Sequence, residues 1–259
     1  MNATNGINID LSGKRAIVTG ASGQLGRVMA RTLARAGADV AVHYLANSEM
    51  AEKVAAEIAD MGRKSIAVQA DVADRASVFA MRDQVYAALG PVDIVVANAV
   101  SQYSWTTVLE QAEEDYVSQF RSCVMQNVLL AKAFTPGMIE REYGRYIATN
   151  TECSMQNFPT QSAYVSGKRG MDGVLRVLAK EIGGAGVTVN QVAPGWTISD
   201  RARAEGTEEQ EYYQKNVPLK RRGTDQEIAN AVVFLASDLA SFITGAYIPV
   251  CGGNVMPTI

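Results

Sequence analysis

A tyrosine and a lysine four residues apart are the first feature of the sequence with chemical potential: Tyr164 and Lys168, in the segment YVSGK. The segment has helical composition, and on a helix residues i and i+4 lie on the same face, so the phenol and the ammonium would be neighbours. A free tyrosine has a pKa near 10, and a nearby cation favours its phenolate. The spacing suits proton transfer, although such a pair alone is a weak motif.

A glycine-rich segment, TGASGQLG at residues 19–26, is the second such feature. It follows an apolar run and precedes a segment of helical period. Glycines let the backbone approach a pyrophosphate, whose charge is met by free N–H groups and by the positive end of the helix dipole. The alternative is an ordinary tight turn between a strand and a helix. The surrounding strand-turn-helix-strand pattern favours nucleotide binding.

Apolar, β-rich runs alternate with longer segments of helical period along the chain, a pattern typical of βα units on a parallel sheet. The sequence therefore predicts a single α/β domain over residues 1–259, with a Rossmann-type, doubly wound parallel sheet of about seven strands and helices on both faces. The predicted strands are 15–19, 39–43, 65–69, 94–97, 145–149, 188–192 and 246–250, and the predicted helices include 26–36, 48–61, 164–178 and 225–236.

The segment 197–222 interrupts this pattern, because it is rich in Glu, Arg, Gln and Tyr and lies between Pro194-Gly195 and the next helical segment. Such a segment predicts a mobile substrate lid. It contains the basic triplet Lys220-Arg221-Arg222, which is either a phosphate-contacting patch for a carrier-linked substrate or a solvated basic turn.

Composition argues against several classes of protein. The 24 Lys and Arg against 27 Asp and Glu give a formal net charge of −3, which argues against a nucleic-acid binder. The first residues lack the regions of a signal peptide, and no long apolar stretch occurs, so we expect a cytoplasmic protein without membrane contact. Cys123, Cys153, Cys251 and the single His43 lack the spacing of a disulfide framework or a metal site.

Considered together, these features resemble the short-chain dehydrogenase/reductase family over nearly the whole chain. The motifs occur in the order typical of the family: the glycine-rich turn, Asp71-Val72, Asn98-Ala99, the Tyr164/Lys168 pair, and the segment 189–195. The resemblance implies an NAD(P)-dependent oxidoreductase that interconverts a ketone and a secondary alcohol, and a homotetramer. The alternative is a catalytically silent subunit or binding protein on the same scaffold.

The resemblance also implies individual roles. Tyr164 would be the acid/base, Lys168 would support the phenolate and hold the nicotinamide ribose, and Thr151 would orient the substrate in place of the family's serine. The implied cofactor-binding residues are Gly20, Ser22, Gly23, Leu25, Gly26, Tyr44, Asp71, Val72, Asn98, Ala99, Tyr164, Lys168, Pro194, Gly195 and Thr197.

Three positions depart from the family's pattern. Cys123 occupies the position of an active-site asparagine, and a thiol is a poor substitute for an amide. Asn127, one turn further along, either replaces that amide in part or is an ordinary polar residue, and we favour the second interpretation. Val100 stands where glycine lets the cofactor lie close. The middle glycine of the turn is displaced to Gly23.

The end of the second strand predicts the choice of cofactor, because an acid there binds the ribose diol of NAD and an arginine attracts the 2′-phosphate of NADP. The aligned residues are Tyr44 and Leu45, which do neither. His43, Asn47 and Ser48 could solvate a phosphate, which favours NADP over NAD, unless His43 simply ends a strand. We expect the substrate to be a small-molecule carbonyl or alcohol, and a 3-oxoacyl thioester and a polyol or small cyclic alcohol all remain open.

Overall fold

The computed structural model describes residues 9–257. Residues 1–8, whose sequence predicts no signal peptide, and residues 258–259 lie outside this range. At the centre is a parallel sheet of seven strands in the order β3-β2-β1-β4-β5-β6-β7. The strands are β1 (Arg15–Val18), β2 (Asp39–Tyr44), β3 (Ser65–Gln69), β4 (Ile94–Ala97), β5 (Gly144–Thr149), β6 (Val187–Pro194) and β7 (Tyr247–Val250). The predicted α/β, doubly wound fold is confirmed.

Helices cover both faces of the sheet. Alternate residues of a strand point to opposite sides, and because most of these strands carry apolar residues on both sides, both faces must be buried. Ile17 and Val95 join one apolar core with the helices at 75–89, 126–140 and 162–182, whereas Val18 and Val96 join another with the helices at 24–35, 48–60 and 225–236. The helices are α1 (Gln24–Arg35), α2 (Ser48–Asp60), α3 (Arg75–Leu89), α4 (Glu113–Gln119), α5 (Gln126–Glu140), α6 (Cys153–Gln156), α7 (Ser162–Ile182), α8 (Asp200–Glu205), α9 (Glu211–Asn216) and α10 (Asp225–Ala236).

The predicted elements differ from the structure mainly at their ends. Strand β6 extends to Pro194 rather than ending at residue 192, and α7 begins at Ser162 and runs to Ile182, so Tyr164 and Lys168 lie in its first two turns. The segment 197–222 contains two short helices. Ser199 caps the first of them, α8, by accepting a hydrogen bond from the Ala202 amide at 3.0 Å.

Helices α4 and α5 are joined without a break by a π-helical segment, Phe120–Met125. A π-helix adds one residue to a turn, and such segments occur frequently at functional sites. Cys123 lies within it. In the part of the chain that the structure describes, no helix is long and apolar enough to cross a membrane.

Candidate active site

A cavity of about 690 Å³ opens at the carboxyl ends of the central strands. It lies beside the point where the strand order reverses between β1 and β4, which is where doubly wound sheets bind their ligands. Its walls come from the turn after β1, the loops after β4 and β5, the start of α7, and the segment after β6.

The three predicted catalytic residues meet at this cavity. Thr151 follows β5, while Tyr164 and Lys168 extend from α7. The Lys168 Nζ lies 5.7 Å from the centroid of the Tyr164 ring and donates a hydrogen bond to the Thr149 carbonyl at 2.6 Å. Burial raises the pKa of Tyr164 above its ordinary value, and a hydrogen bond with Thr151 opposes part of that rise. Burial also lowers the pKa of Lys168.

Several contacts hold these residues in place. The carbonyl of Thr151 accepts hydrogen bonds from the Tyr247 hydroxyl at 2.5 Å and from the Ser154 hydroxyl at 2.9 Å. The Tyr103 hydroxyl accepts a hydrogen bond from the Tyr164 amide at 2.8 Å. Trp105 stacks on the Tyr164 ring, with centroids 5.8 Å apart. Sequence reasoning missed Tyr247, because only the pairing of β7 with β6 brings it near.

The glycine-rich turn fits a dinucleotide phosphate. Gly20 has a φ of +64°, and a Cβ at Gly26 would lie 2.2 Å from the Gly20 carbonyl oxygen, so a side chain at either position would distort the turn. Gly23 precedes α1 and supplies no side chain to cap it, which leaves the amides of the first helical turn for a ligand.

The displaced middle glycine leaves Gln24 in this turn, and its side chain points away toward the segment 197–222. Its Nε2 donates to the Ile198 carbonyl at 2.6 Å, and its Oε1 accepts from the Asp200 amide at 3.2 Å. Arg27 forms an ion pair with Asp200. The phosphate-binding turn is thus tied directly to the predicted lid, a contact that the sequence did not reveal.

Other predicted cofactor-binding residues surround the turn. The Asn98 amide group donates to the Thr19 carbonyl at 3.1 Å and accepts from the Thr149 hydroxyl at 3.2 Å. The Asn98 and Ala99 backbone amides both donate to the Thr19 hydroxyl. Other predicted residues line the cavity itself: Leu25, Pro194, Gly195 and Thr197. Tyr44 ends β2, and Asp71 and Val72 follow β3; these three residues do not line the cavity.

His43 is not available to a phosphate, so that expectation was wrong. Its side chain is buried, with 1% of its surface exposed. Its Nδ1 accepts a hydrogen bond from the Gly20 amide at 2.9 Å, and its Nε2 lies 3.0 Å from the Ala70 carbonyl. Burial lowers the pKa of His43 to about 4. The neutral ring therefore supports the glycine-rich turn.

Asn127 does not replace the missing active-site amide. Its Nδ2 donates to the Cys123 carbonyl at 2.7 Å, and its Oδ1 accepts from the Tyr146 hydroxyl at 3.0 Å. This supports its interpretation as an ordinary polar residue. The Cys123 thiol itself is buried, which raises its pKa, while the charge of nearby Lys168 opposes that rise.

We expect Cys123→Asn to accelerate the chemical step by about tenfold, because a carboxamide near Lys168 would accept a charge-assisted hydrogen bond that the thiol forms only weakly. Single-turnover hydride transfer, measured together with thermal unfolding, tests this. Cys123→Ala is the control and should give no gain. If the folded asparagine variant had an unchanged chemical step, Cys123 would not limit the reaction.

The basic triplet 220–222 is not a phosphate patch. Arg222 is buried, and its guanidinium donates to backbone carbonyls. The accepting residues are Trp196, Thr197, Thr207 and Glu208. Arg221 forms an ion pair with Glu227 at 2.6 Å, and the Lys220 ammonium donates a hydrogen bond to the Lys215 carbonyl at 2.9 Å. Arg222 therefore links the two ends of the segment 197–222 by hydrogen bonds. The solvated-turn interpretation holds only for the exposed residues Lys220 and Arg221.

The doubly wound sheet, its glycine-rich turn and the Tyr164/Lys168 pair at the cavity define a Rossmann-type oxidoreductase. Comparison with known proteins narrows this class. The sequence pattern of the family described as "Enoyl-(Acyl carrier protein) reductase" matches residues 20–254. A 3-oxoacyl-[acyl-carrier-protein] reductase FabG of Staphylococcus aureus is 38% identical over 244 residues, which span 94% of this chain and 98% of that protein.

Two solved structures share the fold with a TM-score of 0.87. A blue fluorescent protein from a metagenomic library, in complex with NADPH, is 31% identical, and the match covers 95% of this chain and 100% of that chain. A gluconate 5-dehydrogenase from Burkholderia cenocepacia J2315, in complex with NADP and tartrate, is 28% identical, with 95% and 97% covered. The chain belongs to the short-chain dehydrogenase/reductase family and is an NAD(P)-dependent oxidoreductase.

Proposed function

We propose that this protein uses NADPH to reduce a small-molecule ketone to a secondary alcohol, and catalyses the reverse reaction with NADP. The observation that carries the proposal is the convergence of Tyr164, Thr151 and Lys168 on one cavity. A catalytically silent scaffold would have no need to keep a phenol, a hydroxyl and a buried ammonium in contact there, so nothing favours that alternative.

NADPH, when bound, supplies the hydride. Tyr164 gives its phenolic proton to the carbonyl oxygen, and because burial raises its pKa, the phenol is protonated and ready to donate in the resting protein. Thr151, whose hydroxyl interacts with the phenol, orients the same oxygen. The buried Lys168 ammonium stabilises the phenolate that remains and would hold the nicotinamide ribose hydroxyls.

The phosphates of the cofactor would lie at the N-terminus of α1, against the uncapped amides after Gly23. The remaining cofactor contacts are proposed for Gly20, Ser22, Leu25, Gly26, Tyr44, Asp71, Val72, Asn98, Ala99, Pro194, Gly195 and Thr197. NADP is favoured over NAD because neither Tyr44 nor Leu45 carries an acid that would repel the 2′-phosphate.

We expect Leu45→Arg to tighten NADPH binding by about tenfold and NADH binding much less, because only NADPH offers a phosphate to a guanidinium. Leu45 ends in solvent, with 60% of its surface exposed, so an arginine fits there. Titration of each cofactor measures the effect. Leu109→Arg, at a fully exposed site outside the cavity, is the matched control. Equal tightening of both cofactors by Leu45→Arg would show that this turn does not face the ribose.

The segment 197–222 is proposed as the substrate lid of a single domain. Gln24 links this segment to the phosphate-binding turn, and Tyr213 within it lines the cavity together with Trp196, which directly precedes it.

A homotetramer in the cytoplasm is also proposed. Fully exposed Phe242, together with exposed Phe120 and Val177, supplies apolar surface for contacts between copies. Sedimentation of the purified protein tests the tetramer.

The function is tested by following NADPH absorbance with a panel of ketones, among them cyclic ketones and a 3-oxoacyl thioester. Consumption of NADPH with formation of the matching secondary alcohol supports the proposal. Tight binding of NADPH without turnover of any ketone would contradict it and would favour a silent binding protein.

A further inference from the structure

The cavity carries a distinctive set of side chains beyond the proton-transfer residues. Aromatic residues line it from the loops after β4, β5 and β6 and from α9: Tyr103, Trp105, Phe158, Trp196 and Tyr212. Four of these side chains are exposed, namely Trp105, Phe158, Trp196 and Tyr212. Large apolar side chains left exposed together at one site indicate a surface that an apolar ligand covers. Aromatic faces pack well against apolar rings and attract cations.

The charges that line the cavity are equally informative. Among the described residues that line it, Lys168 and Glu152 are the only charged ones. Lys168 already donates to the Thr149 carbonyl and belongs to the proton-transfer group. The nearby Arg222 is occupied by backbone carbonyls. The cavity therefore has no spare cation for an anionic substrate, but it has a carboxyl group.

Glu152 directly follows Thr151 and is one of the residues that line the cavity, although only 3% of its surface is exposed. The Tyr213 hydroxyl and the Asn254 amide group both donate to its Oε2, each at 3.1 Å. Neither bond uses Oε1. These two partners fix the carboxyl group in orientation, and a fixed carboxylate in a cavity with aromatic walls recognises a hydrogen-bond donor or an ammonium group.

We infer that the substrate is a ring ketone, neutral or cationic, whose hydroxyl or ammonium group is bound by Glu152 while Tyr164 and Thr151 bind its carbonyl oxygen. The inference rests on the proposed ketone reduction and names its substrate class. Aromatic stacking selects the ring, and Glu152 selects against carboxylates and phosphates inside the cavity.

Three ketones with one skeleton test the charge preference: cyclohexanones carrying an aminomethyl, a hydroxymethyl or a carboxylate group opposite the carbonyl. Values of kcat/KM are measured with NADPH at about pH 8, because burial raises the pKa of Glu152 and the test requires its carboxyl group to be ionised. The aminomethyl ketone should exceed the carboxylate ketone by about tenfold or more, with the hydroxymethyl ketone between them. A neutral acetoacetyl thioester of N-acetylcysteamine, which lacks a ring, should be the poorest neutral substrate.

Binding of the same ketones is measured by tryptophan fluorescence. The chain has two tryptophans, Trp105 and Trp196, and both line the cavity, so quenching reports its occupancy directly. This readout separates the two proposals. The expected charge order in binding without any turnover would support the substrate class and contradict ketone reduction. Turnover of all the ketones without a charge order would support ketone reduction and overturn the inferred substrate class.

Glu152→Gln keeps the shape of the side chain and should reduce the ratio between the aminomethyl and carboxylate ketones to near one. A purely structural role would lower all substrates together and leave the ratio unchanged, which would overturn the inference. Glu208→Gln, on the lid but outside the cavity, is the control and should keep the wild-type ratio. If Glu152→Gln does not fold, the wild-type order decides alone: equal or better use of the carboxylate ketone, or of the thioester, overturns the inference.

Tyr213→Phe removes one partner of Glu152 but leaves its charge. The charge order should persist in this variant, even if the affinity for all three ketones falls. Loss of the order while Glu152 is present would show that the lid contact, rather than the carboxylate, sets the preference, and would overturn the role of Glu152.

Discussion

Replacing Tyr164 with phenylalanine should lower the rate of ketone reduction by roughly 10²–10⁴-fold, the range for loss of a general acid/base. The ring remains, so its stacking with Trp105 and its packing against Lys168 are kept. Only the phenolic hydroxyl and its interaction with Thr151 are lost. NADPH affinity should therefore change little. Steady-state turnover and a fluorescence titration with NADPH, on the same sample, measure both quantities.

Tyr116→Phe is the matched control for this experiment. The Tyr116 hydroxyl lies 2.6 Å from the Ser162 hydroxyl at the start of α7, but Tyr116 does not line the cavity. The same loss of a hydroxyl there should leave turnover near the wild-type value. Wild-type turnover by Tyr164→Phe would show that the proton comes from elsewhere, and the assignment of Tyr164 as the acid would be wrong.

The order of strands and helices along the chain could be predicted from the sequence, because each strand and each helix has its own local period of apolar residues. The alternation of apolar strand segments with helical segments predicts the seven strands and the turn after β1. In a parallel sheet of this kind, Thr151, Tyr164 and Lys168 then lie at one end of the sheet. Their spacing along the chain, together with the family resemblance, indicated their roles. The ends of the elements were less predictable, since caps such as Ser199 depend on single hydrogen bonds.

The contacts that set the detailed chemistry could not be predicted, because they join residues far apart in the chain. Gln24 reaches the Ile198 carbonyl, and Glu152 meets both Tyr213 and Asn254, only because the fold brings these segments together. No local period encodes such pairs. His43 shows the same limit: as a sequence feature it suggested a phosphate contact, whereas its burial makes it part of the scaffold.

The loss of stability between pH 6.5 and about pH 5 should come mainly from His43, because it is the single histidine of the chain and the ordinary pKa of a carboxyl group lies below this range. In the unfolded chain its pKa is the ordinary 6.5, and in the folded protein it is about 4. Between these values the unfolded state binds a proton that the folded state does not, so stability falls as the pH falls.

The free energy of unfolding should therefore decrease by about 2 kcal/mol between pH 6.5 and pH 5, and by about 3 kcal/mol by pH 4, from His43 alone. Well above pH 6.5 the ring is neutral in both states and the contribution is complete. Urea unfolding across this range measures the change. His43→Asn should be less stable at neutral pH, because the Ala70 carbonyl loses its partner, but its stability should vary little between pH 6.5 and pH 5.

NMR gives an independent check, because the ring protons of a single histidine form one resolved set of signals. In the folded protein these signals should not titrate until the pH approaches 4. Titration near 6.5 would mean that the ring is solvated and that it does not accept the Gly20 amide. If the neutral ring does hold that amide, protonation must break the bond beneath the glycine-rich turn, and NADPH affinity should decline over the same acid range as stability.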